Sequence, residues 1–303
     1  IKDSYACRVG KGTHLAVDEF SRHARRFRYV LKCDIAKYFP SIDHEILVAL
    51  LERKVKDPQV LWLMRLIAGA SNEQEFVCRH FEGDDLFSPL ARRRGIPIGN
   101  LTSQFFANVY LNGFDHFVKE HLRCDAYLRY CDDFVVFGDD KPSLWAIKET
   151  MGDYLATLRL TLHPRKCQVM PTCDGVDFLG FRVFPTHRRL RATTTKRAIR
   201  RLRAKASACV QGALSVDGWR QSWASWLGYA QHADTYGLRR AVRGTLVLQW
   251  REKVPPENFP AGRGRVDDGC APWGVVEQSS AEPAIREPEQ QQADESEQQY
   301  RVP

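Results

Sequence analysis

The chain has 303 residues, which is enough for one large domain or two domains of ordinary size. Its hydrophobic fraction of 44% is typical of a globular protein with a substantial core, and no apolar run approaches the ~20 residues of a membrane-spanning helix. The formal net charge of +8 comes from clustered Lys and Arg residues, which favour a polyanionic partner such as nucleic acid over a merely solvated charged face.

The nine cysteines are scattered singly, with no C-x-x-C motif and no histidine pairing at zinc spacing. This usage favours free thiols in a reducing compartment and predicts a cytoplasmic protein. The first residue is Ile rather than Met, which suggests a piece of a longer chain, and the start shows no signal-peptide pattern. We therefore expect no membrane partner.

The first quarter of the chain alternates helical and strand patterns. Residues 13–26 and 44–53 carry apolar residues at helical spacing, and Pro58 opens a third helix that continues to about residue 70. Between the first two helices, residues 29–35 form a short apolar strand that ends near Asp34. The second and third helices have the pattern of core-facing helices, and we assign no chemistry to them.

A turn with two glycines and a proline, residues 95–99, runs into a helix predicted over residues 101–122. Residues 71–94 before it are polar and irregular, and a short hairpin is the most structure expected there. Free backbone amides and the positive end of the dipole make such a helix start attractive to anions.

Two short strands, residues 126–130 and 134–137, flank the adjacent acids Asp132 and Asp133. The pattern predicts a hairpin with two carboxylates at its tip. Like charges this close repel one another and are costly to desolvate, and a divalent cation is the usual remedy. A solvated acidic turn is the alternative that this stretch alone leaves open, and Cys131 beside it is expected to be a small, half-buried neighbour.

Beyond the hairpin, helix capping explains a second acidic pair, Asp139 and Asp140, before a helix predicted over residues 143–158. Of the helices that follow, the first is strongly basic and predicts salt-sensitive contacts with a nucleic-acid backbone. From residue 255 the chain is rich in Pro and Gly and then in Gln and Glu, which predicts a disordered tail or a linker. The predicted elements are strands at residues 168–170 and 176–183 and helices at residues 193–211, 216–232 and 236–254.

Asp34, Asp132 and Asp133 would converge if their strands are neighbours in one antiparallel sheet. Three carboxylates suit two hard cations, Mg²⁺ above all, with substrate phosphates and water completing the coordination. Two such ions ~4 Å apart clamp the attacking and leaving oxygens of an in-line phosphoryl transfer. Because Cys and His ligands are lacking, zinc is disfavoured.

Three segments resemble, in order, the palm motifs of reverse transcriptases: DIAKYFPSID at residues 34–43, GIPIGNLTSQFFAN at 95–108 and YCDDFVVF at 130–137. LTLHPRK at 160–166 and VDFLGF at 176–181 resemble the next motif and the primer-gripping segment, and residues 222–234 resemble the thumb of group II intron-type enzymes. The resemblance implies an α+β right-hand polymerase whose palm combines an antiparallel sheet with helices. It places partial fingers at 1–30, the palm at 31–190 with inserted fingers elements at about 55–95, a helical thumb at 191–254 and the tail at 255–303.

The same resemblance implies roles for individual residues. Asp34, Asp132 and Asp133 would be the catalytic metal ligands, joined by the backbone carbonyl of Ile35, and two Mg²⁺ ions would be the cofactors, with Mn²⁺ as a substitute. Phe39 matches the bulky residue that blocks a 2′-hydroxyl, which implies deoxynucleotide substrates. Lys166 would contact the nucleotide or the catalytic centre, and an ordinary surface lysine is the alternative. The implied nucleotide contacts are Phe39, Ile98, Gly99, Gln104 and Lys166, the primer grip is Phe178, Leu179 and Gly180, and the nucleic-acid backbone contacts are Arg94, Arg197, Arg200 and Arg201.

The second motif departs from the common form Q-G-x-x-x-S-P, because Ile98 and Gln104 stand where most reverse transcriptases carry Gln and Pro. This is the form found in diversity-generating retroelements, whose enzymes copy template RNA with frequent errors opposite adenine. Ile98 cannot hydrogen-bond where a Gln would, so we hypothesise weaker discrimination between right and wrong base pairs. The implied partners are template RNA, a primer or cDNA end, deoxynucleoside triphosphates and an accessory basic protein, in a bacterial or phage-encoded system.

Two other functions stay open at this stage. One is a reverse transcriptase with another bacterial role, either a group II intron maturase or a phage-defence enzyme. The other is a catalytically inactive nucleic-acid-binding scaffold, which the presence of all three acids disfavours.

Overall fold

The computed structural model describes residues 1–70, 75, 77–97 and 99–253, with the backbone alone for residues 245–253. Two predictions fall outside these residues, namely the role of Ile98 and the nature of the tail at 255–303. Among the helices of this described part, none is both long enough and apolar enough to cross a lipid bilayer.

A four-stranded antiparallel sheet lies at the centre of the fold and consists of β1 (Tyr29–Asp34), β2 (Tyr127–Tyr130), β3 (Asp133–Gly138) and β4 (Gln168–Pro171). The order of the strands in the sheet is β2-β3-β1-β4. Its strands follow the predicted apolar runs to within about one residue. The sheet confirms the expectation that the strand ending on Asp34 neighbours the acidic hairpin, because β1 pairs with β3 along its whole length.

A second antiparallel sheet consists of β5 (Val176–Phe178), β6 (Phe181–Val183) and β7 (Arg188–Leu190). The prediction of one strand over residues 176–183 is therefore wrong. Leu179 and Gly180 both have positive φ, 47° and 88°, as a two-residue type I′ turn requires, and the chain reverses there.

The helices match most of the predicted ones, with one correction. The helix predicted over residues 101–122 is broken near Asn112 and Gly113, both weak helix formers, and its last turn, Phe117–His121, is a π-helix. Among the described residues of the stretch 75–94 there is a short helix and no strand beyond a single bridge from Arg94 to Asp43, so no hairpin appears there. The helices are α1 (Thr13–Arg26), α2 (Tyr38–Ser41), α3 (His44–Glu52), α4 (Pro58–Gly69), α5 (Ser88–Ala91), α6 (Leu101–Tyr110), α7 (Asn112–His116), α8 (Lys141–Thr157), α9 (Ala192–Val210), α10 (Val216–Gln231) and α11 (Tyr236–Lys253).

Side chains alternate between the two faces of the central sheet, so each face supports a separate core. Leu31 and Cys33 of β1 pack on one face with residues of α3, α6 and α8. Val30 on the opposite face packs with α1 and with the second sheet. A third core joins α9, α10 and α11 and buries Trp219 and Trp226, so these two tryptophans of α10 serve packing.

Acidic side chains begin several helices, as the sequence predicts. Asp43 accepts hydrogen bonds from the amides of Glu45 and Ile46 at the start of α3. Asp140 accepts from Ser143 at the start of α8, and Asp139 accepts from the amide of Arg28, so this second acidic pair has structural partners.

Candidate active site

The three acids lie together at one end of the central sheet. Asp34 is the last residue of β1 and pairs in register with Asp133, the first residue of β3. Asp132 is in the two-residue turn between β2 and β3, after Cys131, whose positive φ of 58° suits the first turn position. Directly opposed residues of an antiparallel pair have Cα atoms ~4.5–5.5 Å apart, so two carboxylates start from adjoining positions and the third is one residue away.

A buried ion pair holds the acidic turn in place. Arg129 of β2 is 1% exposed, and its guanidinium forms two bonds to the Asp115 carboxylate, Nε to Oδ1 at 2.6 Å and Nη2 to Oδ2 at 2.7 Å. Its remaining nitrogen donates to the carbonyl of Cys131 at 3.0 Å, and the Tyr127 hydroxyl donates to Asp115 at 2.7 Å. Breaking a buried ion pair is strongly destabilising, so Arg129 is held in place by Asp115. Through its bond to the Cys131 carbonyl, Arg129 in turn holds the turn that carries Asp132.

Arg129 and Asp115 are not among the site residues predicted from the sequence. The available signal was a charged residue in the middle of the apolar run YLRY, since a buried charge almost always needs a partner. The identity of that partner depends on how α7 packs against the sheet, which local patterns do not reveal.

Two lysines approach the carboxylates. The Lys166 ammonium is 2.7 Å from Oδ2 of Asp34, although its side chain is 60% exposed, so Lys166 lies both at the surface and at the acidic cluster. Lys32, which sequence analysis did not single out, has its Nζ 3.8 Å from Oδ1 of Asp133 and donates to the carbonyl of Asp177 at 3.0 Å. Lys32 thus connects the central sheet to the β5–β6 hairpin.

The electrostatics of the cluster favour added positive charge. Burial raises the pKa of Asp132, and the nearby Asp34 carboxylate raises it further. Burial also raises the pKa of Asp133, which Lys32 lowers and the other two acids raise. The hydrogen bond to Asp34 raises the pKa of Lys166, which therefore stays an ammonium.

The donor set suits a hard cation by its chemistry, since all three side chains offer carboxylate oxygens. In the described part of the chain, no three His, Cys, Asp or Glu side chains converge tightly enough to form a ready metal site. Lys166 and Lys32 stand instead beside Asp34 and Asp133 and act as their counter-charges. A divalent ion bound by these acids would have to displace the Lys166 ammonium from Asp34.

The neighbours of the acids connect the first and second motifs. Ile35 is buried and forms a bridge with Leu162, and the carbonyl of Asp34 accepts from the His163 amide at 2.8 Å. Phe39 is half-buried in α2, and its carbonyl accepts from the amide of Ile96 at 3.1 Å. The turn before α6 is therefore tied to the segment that follows Asp34.

Gly99 and Gln104 lie at the start of α6. Gly99 is exposed with a φ of 95°, a conformation that favours glycine. Gln104 is half-buried in the first turns of the helix, which Asn100 caps through the amide of Thr102. Their proposed partner Ile98 is outside the described residues, so the structure does not place the three together.

The structure divides the predicted primer grip. Phe178 is buried and stacks on Phe20 with ring centroids 4.9 Å apart, so its side chain supports the hairpin and cannot contact a primer. Leu179 and Gly180 form the turn and are partly exposed. A Cβ at Gly180 would collide with the hydroxyl oxygen of Tyr229 from α10, so this turn rests directly on that helix.

The predicted backbone contacts also separate. Arg197, Arg200 and Arg201 are exposed on α9. Arg94, in contrast, is 6% exposed and donates to the carbonyl of Pro89 at 2.9 Å, so its guanidinium is held inside the protein and not on the surface with the other three. Arg92, Arg93 and Arg94 are consecutive in the sequence, and the last of them is buried.

The family comparison agrees with this arrangement. A family model described as "Reverse transcriptase (RNA-dependent DNA polymerase)" matches residues 2–183. The chain belongs to the reverse transcriptase family. The matched residues of this reverse transcriptase include the three acids, Lys166 and the β5–β6 hairpin.

Two curated relatives share part of this reverse transcriptase sequence. Protein YkfC of Escherichia coli (strain K12) is 26% identical over 191 residues, which is 52% of this chain and 47% of YkfC. An uncharacterized 91 kDa protein in cob intron of Schizosaccharomyces pombe is 28% identical over 116 residues, 38% of this chain and 13% of that protein. The chain thus spans less than half the length of these relatives.

A solved structure of telomerase from Candida albicans, in complex with the TWJ fragment of telomeric RNA, is similar over 83% of this reverse transcriptase and 46% of that chain. The TM-score is 0.46 and the sequence identity is 12%.

Proposed function

We propose that this chain is an RNA-directed DNA polymerase of the diversity-generating retroelement type, which makes error-prone cDNA from a template RNA. The observation that carries the polymerase function is the meeting of Asp34 and Asp133 at facing positions, with Asp132 beside them, in a chain of the reverse transcriptase family. Such a carboxylate cluster destabilises the folded protein through charge repulsion unless bound cations neutralise it.

Asp34, Asp132 and Asp133 would hold two Mg²⁺ ions, or Mn²⁺ in their place, together with the carbonyl of Ile35. When bound, the ions would lower the pKa of the attacking 3′-hydroxyl and neutralise charge on the triphosphate. Arg129 and Asp115 position Asp132 through the Cys131 carbonyl. Lys166, released from Asp34, has the exposure and reach to contact the phosphates of an incoming nucleotide.

The remaining residues would orient the substrates. Phe39, close after Asp34 and only half-buried, would exclude the 2′-hydroxyl of a ribonucleotide. Gly99 and Gln104 would lie against the nucleotide at the start of α6, and the exposed turn of Leu179 and Gly180 would hold the primer end.

The fold supports the proposed division into partial fingers, palm and thumb. The palm would comprise residues 31–190 with the two sheets, and α9, α10 and α11 would form the thumb within residues 191–254. Arg197, Arg200 and Arg201 would follow the phosphates of the template–primer duplex. An accessory basic protein and a cytoplasmic location stay predictions.

Primer extension tests the polymerase function. The purified chain should extend a DNA primer on an RNA template with deoxynucleotides and Mg²⁺, and chelation of the metal should stop the reaction. Asp132→Ala should abolish extension while leaving the circular dichroism spectrum unchanged. Equal extension by the variant and the parent chain would rule out this function for the acidic cluster.

The subtype needs its own test, because the similarity to a protein in cob intron of Schizosaccharomyces pombe favours an intron-type reverse transcriptase as second candidate. We expect Ile98→Gln to reduce misincorporation opposite adenine by about tenfold. One added hydrogen bond that favours the correct base pair over a wrong one gives discrimination of about this size. Ile98→Val keeps the side chain apolar and should leave the error spectrum unchanged. Sequencing of the cDNA measures both, and an unchanged spectrum in Ile98→Gln would favour the intron-type candidate.

A further inference from the structure

Cys33 of β1 and Cys167, the residue before β4, lie opposite each other next to Asp34 in the sequence and the sheet register. The β1–β4 pairing runs from Tyr29 opposite Pro171 to Lys32 opposite Gln168, and Cys33 and Cys167 are the next positions in that register. Both are buried in the same hydrophobic core, with 0% and 5% of their surface exposed. Directly opposed antiparallel residues have Cα separations within the range that a disulfide spans.

We propose that Cys33 and Cys167 form an oxidisable dithiol that closes to a disulfide with a hydroperoxide as oxidant. The Cys167 sulfur, the more exposed of the two, attacks the peroxide, which breaks the O–O bond, leaves a sulfenic acid and releases water. The Cys33 thiol then displaces the hydroxyl, the S–S bond forms and a second water leaves. The two thiols lose two electrons and two hydrogens, which reduce one hydrogen peroxide to two waters.

The dithiol is joined to the acidic cluster by covalent neighbours on both strands. Asp34 follows Cys33 in the sequence, and Lys166 precedes Cys167. The Lys166 ammonium and the Asp34 carboxylate form an ion pair at 2.7 Å. The Cys167 sulfur also lies 3.7 Å from the carbonyl of Asp34. A bond of ~2.05 Å between the sulfurs would tie these two segments together beside the Lys166–Asp34 pair, which must separate for a divalent ion to bind Asp34. If the proposed polymerase function holds, the disulfide should slow nucleotide incorporation.

Peptide mapping under non-reducing conditions tests the disulfide without reference to activity. The chain is treated with hydrogen peroxide, quenched with catalase, alkylated in denaturant and digested. We expect a cross-linked peptide pair containing Cys33 and Cys167 that disappears on reduction with dithiothreitol. Cys33→Ala should lose the cross-link, whereas Cys173→Ala, at an exposed cysteine, should keep it. Recovery of both cysteines as alkylated thiols, while exposed Cys7 and Cys78 are oxidised, would overturn the proposal.

Primer extension by the oxidised chain is the second readout. Incorporation should fall by about tenfold or more, since a shift of ~1 Å in catalytic groups can cost that much, and dithiothreitol should restore it. A chain that forms the disulfide and extends primers at the full rate would overturn the coupling to the acids. A reduced chain that never extends primers would count against the proposed polymerase function and not against the disulfide.

Lys32 lies on the opposite face of β1 from Cys33. Its ammonium is 3.0 Å from the carbonyl of Asp177 in β5 and 3.8 Å from Oδ1 of Asp133, and its side chain is 22% exposed. The Lys32 ammonium therefore connects the β5–β6 hairpin, which carries the partly exposed turn, with Asp133. We infer that Lys32 is a positioning residue, which sets the distance between the primer-holding turn and the carboxylates; this role rests on the proposed function.

Lys32→Met preserves the length of the side chain and removes the ammonium. We expect faster amide hydrogen exchange over residues 176–183, and about tenfold weaker binding of the primer–template, with the KM for deoxynucleotide unchanged, since one charged hydrogen bond is lost. Lys32→Arg should restore most of the binding. Lys141→Met removes a lysine that lies over the Tyr29 ring, away from the hairpin, and should change neither measurement. Unchanged exchange and binding in Lys32→Met would overturn the inference, and faster exchange without any primer extension by the parent chain would count against the polymerase function alone.

Discussion

At the scale of single residues, the candidate site is a set of charges that oppose one another. Burial and mutual repulsion raise the pKa values of Asp132 and Asp133, and Lys32 and Lys166 offset only part of the negative charge. Such a cluster is unfavourable for stability, and function commonly carries this kind of cost. The charges of the candidate site should therefore weaken the metal-free fold.

Replacing one acid should make the metal-free protein more stable. The folded pKa of Asp132 lies above its ordinary value of 3.8, so the native state binds this proton more tightly than the unfolded chain does. Stability from this group is therefore lost as pH rises from about 4 through the folded pKa, and Asp132→Asn removes that loss. We expect a gain of about 1 kcal/mol near neutral pH, or ~2–4 °C in Tm for a domain of this size.

Thermal melting in a chelating buffer at several pH values measures the gain, which should shrink towards pH 4. Added Mg²⁺ should raise the Tm of the parent chain more than that of Asp132→Asn. A variant that melts below the parent chain at neutral pH, with both free of metal, would contradict this electrostatic account.

At the scale of elements, the contact between the β5–β6 turn and α10 joins the two parts of the molecule that would hold the primer. Gly180 is suited to this position for two separate reasons, namely its φ of 88° and the Tyr229 hydroxyl against its Cα. Tyr229 also packs on Phe181, with ring centroids 4.9 Å apart. The turn and the helix therefore depend on each other.

A pair of substitutions can separate the two reasons. Gly180→Ala should lower the free energy of unfolding by at least about 2 kcal/mol, from the left-handed backbone and the collision together. Adding Tyr229→Phe removes the colliding oxygen and should recover all but about 1–2 kcal/mol. Gly212→Ala is the matched control, because Gly212 has a φ of 76° and no atom within 4 Å of an added Cβ. Denaturant unfolding measures all three, and failure of Tyr229→Phe to recover any stability would show that the turn does not rest on the hydroxyl.

The sequence predicted elements best where the signal was local. Apolar periodicity located β1, and the acidic pair with its flanking strands predicted the hairpin of β2 and β3. Two departures from the predicted secondary structure also have local causes, because the chain turns at Leu179 and Gly180 and the long helix is interrupted at Leu111, beside the weak helix formers Asn112 and Gly113. The sequence predicted the three acids of the candidate site. It did not predict Arg129, Asp115 and Lys32, because their contacts are with residues distant in sequence, which periodicity does not identify.

At the scale of the whole molecule, one basic helix presents several arginines to solvent. Arg197, Arg200 and Arg201 are exposed on α9, and the same helix buries Leu202 and Ala206 against α10 and α11. The burial of Arg94 shows that clustered arginines in sequence do not by themselves locate this surface. The proposed interface is therefore the exposed face of one helix.

Salt dependence tests this surface. Arg200→Ala should weaken binding to an RNA–DNA primer–template and reduce the slope of log K against log salt by about one, as expected for one lost phosphate contact. Arg22→Ala is the control, because Arg22 is exposed but already paired with Glu19. Fluorescence anisotropy between about 50 and 200 mM salt gives both slopes, and equal slopes for Arg200→Ala and the parent chain would exclude Arg200 from the interface.

The central claim is that Asp34, Asp132 and Asp133 act together in RNA-directed DNA synthesis. Single-nucleotide incorporation on a primed RNA template in Mg²⁺ tests it most directly, with Asp34→Asn, Asp132→Asn and Asp133→Asn measured beside Asp140→Asn, which keeps a capping side chain on α8. We predict that each of the three site variants is slower than the parent chain by about 100-fold or more, the scale at which loss of one charge-stabilising group reduces catalysis, and that Asp140→Asn matches the parent. Incorporation at the parent rate by any one of the three would contradict the account.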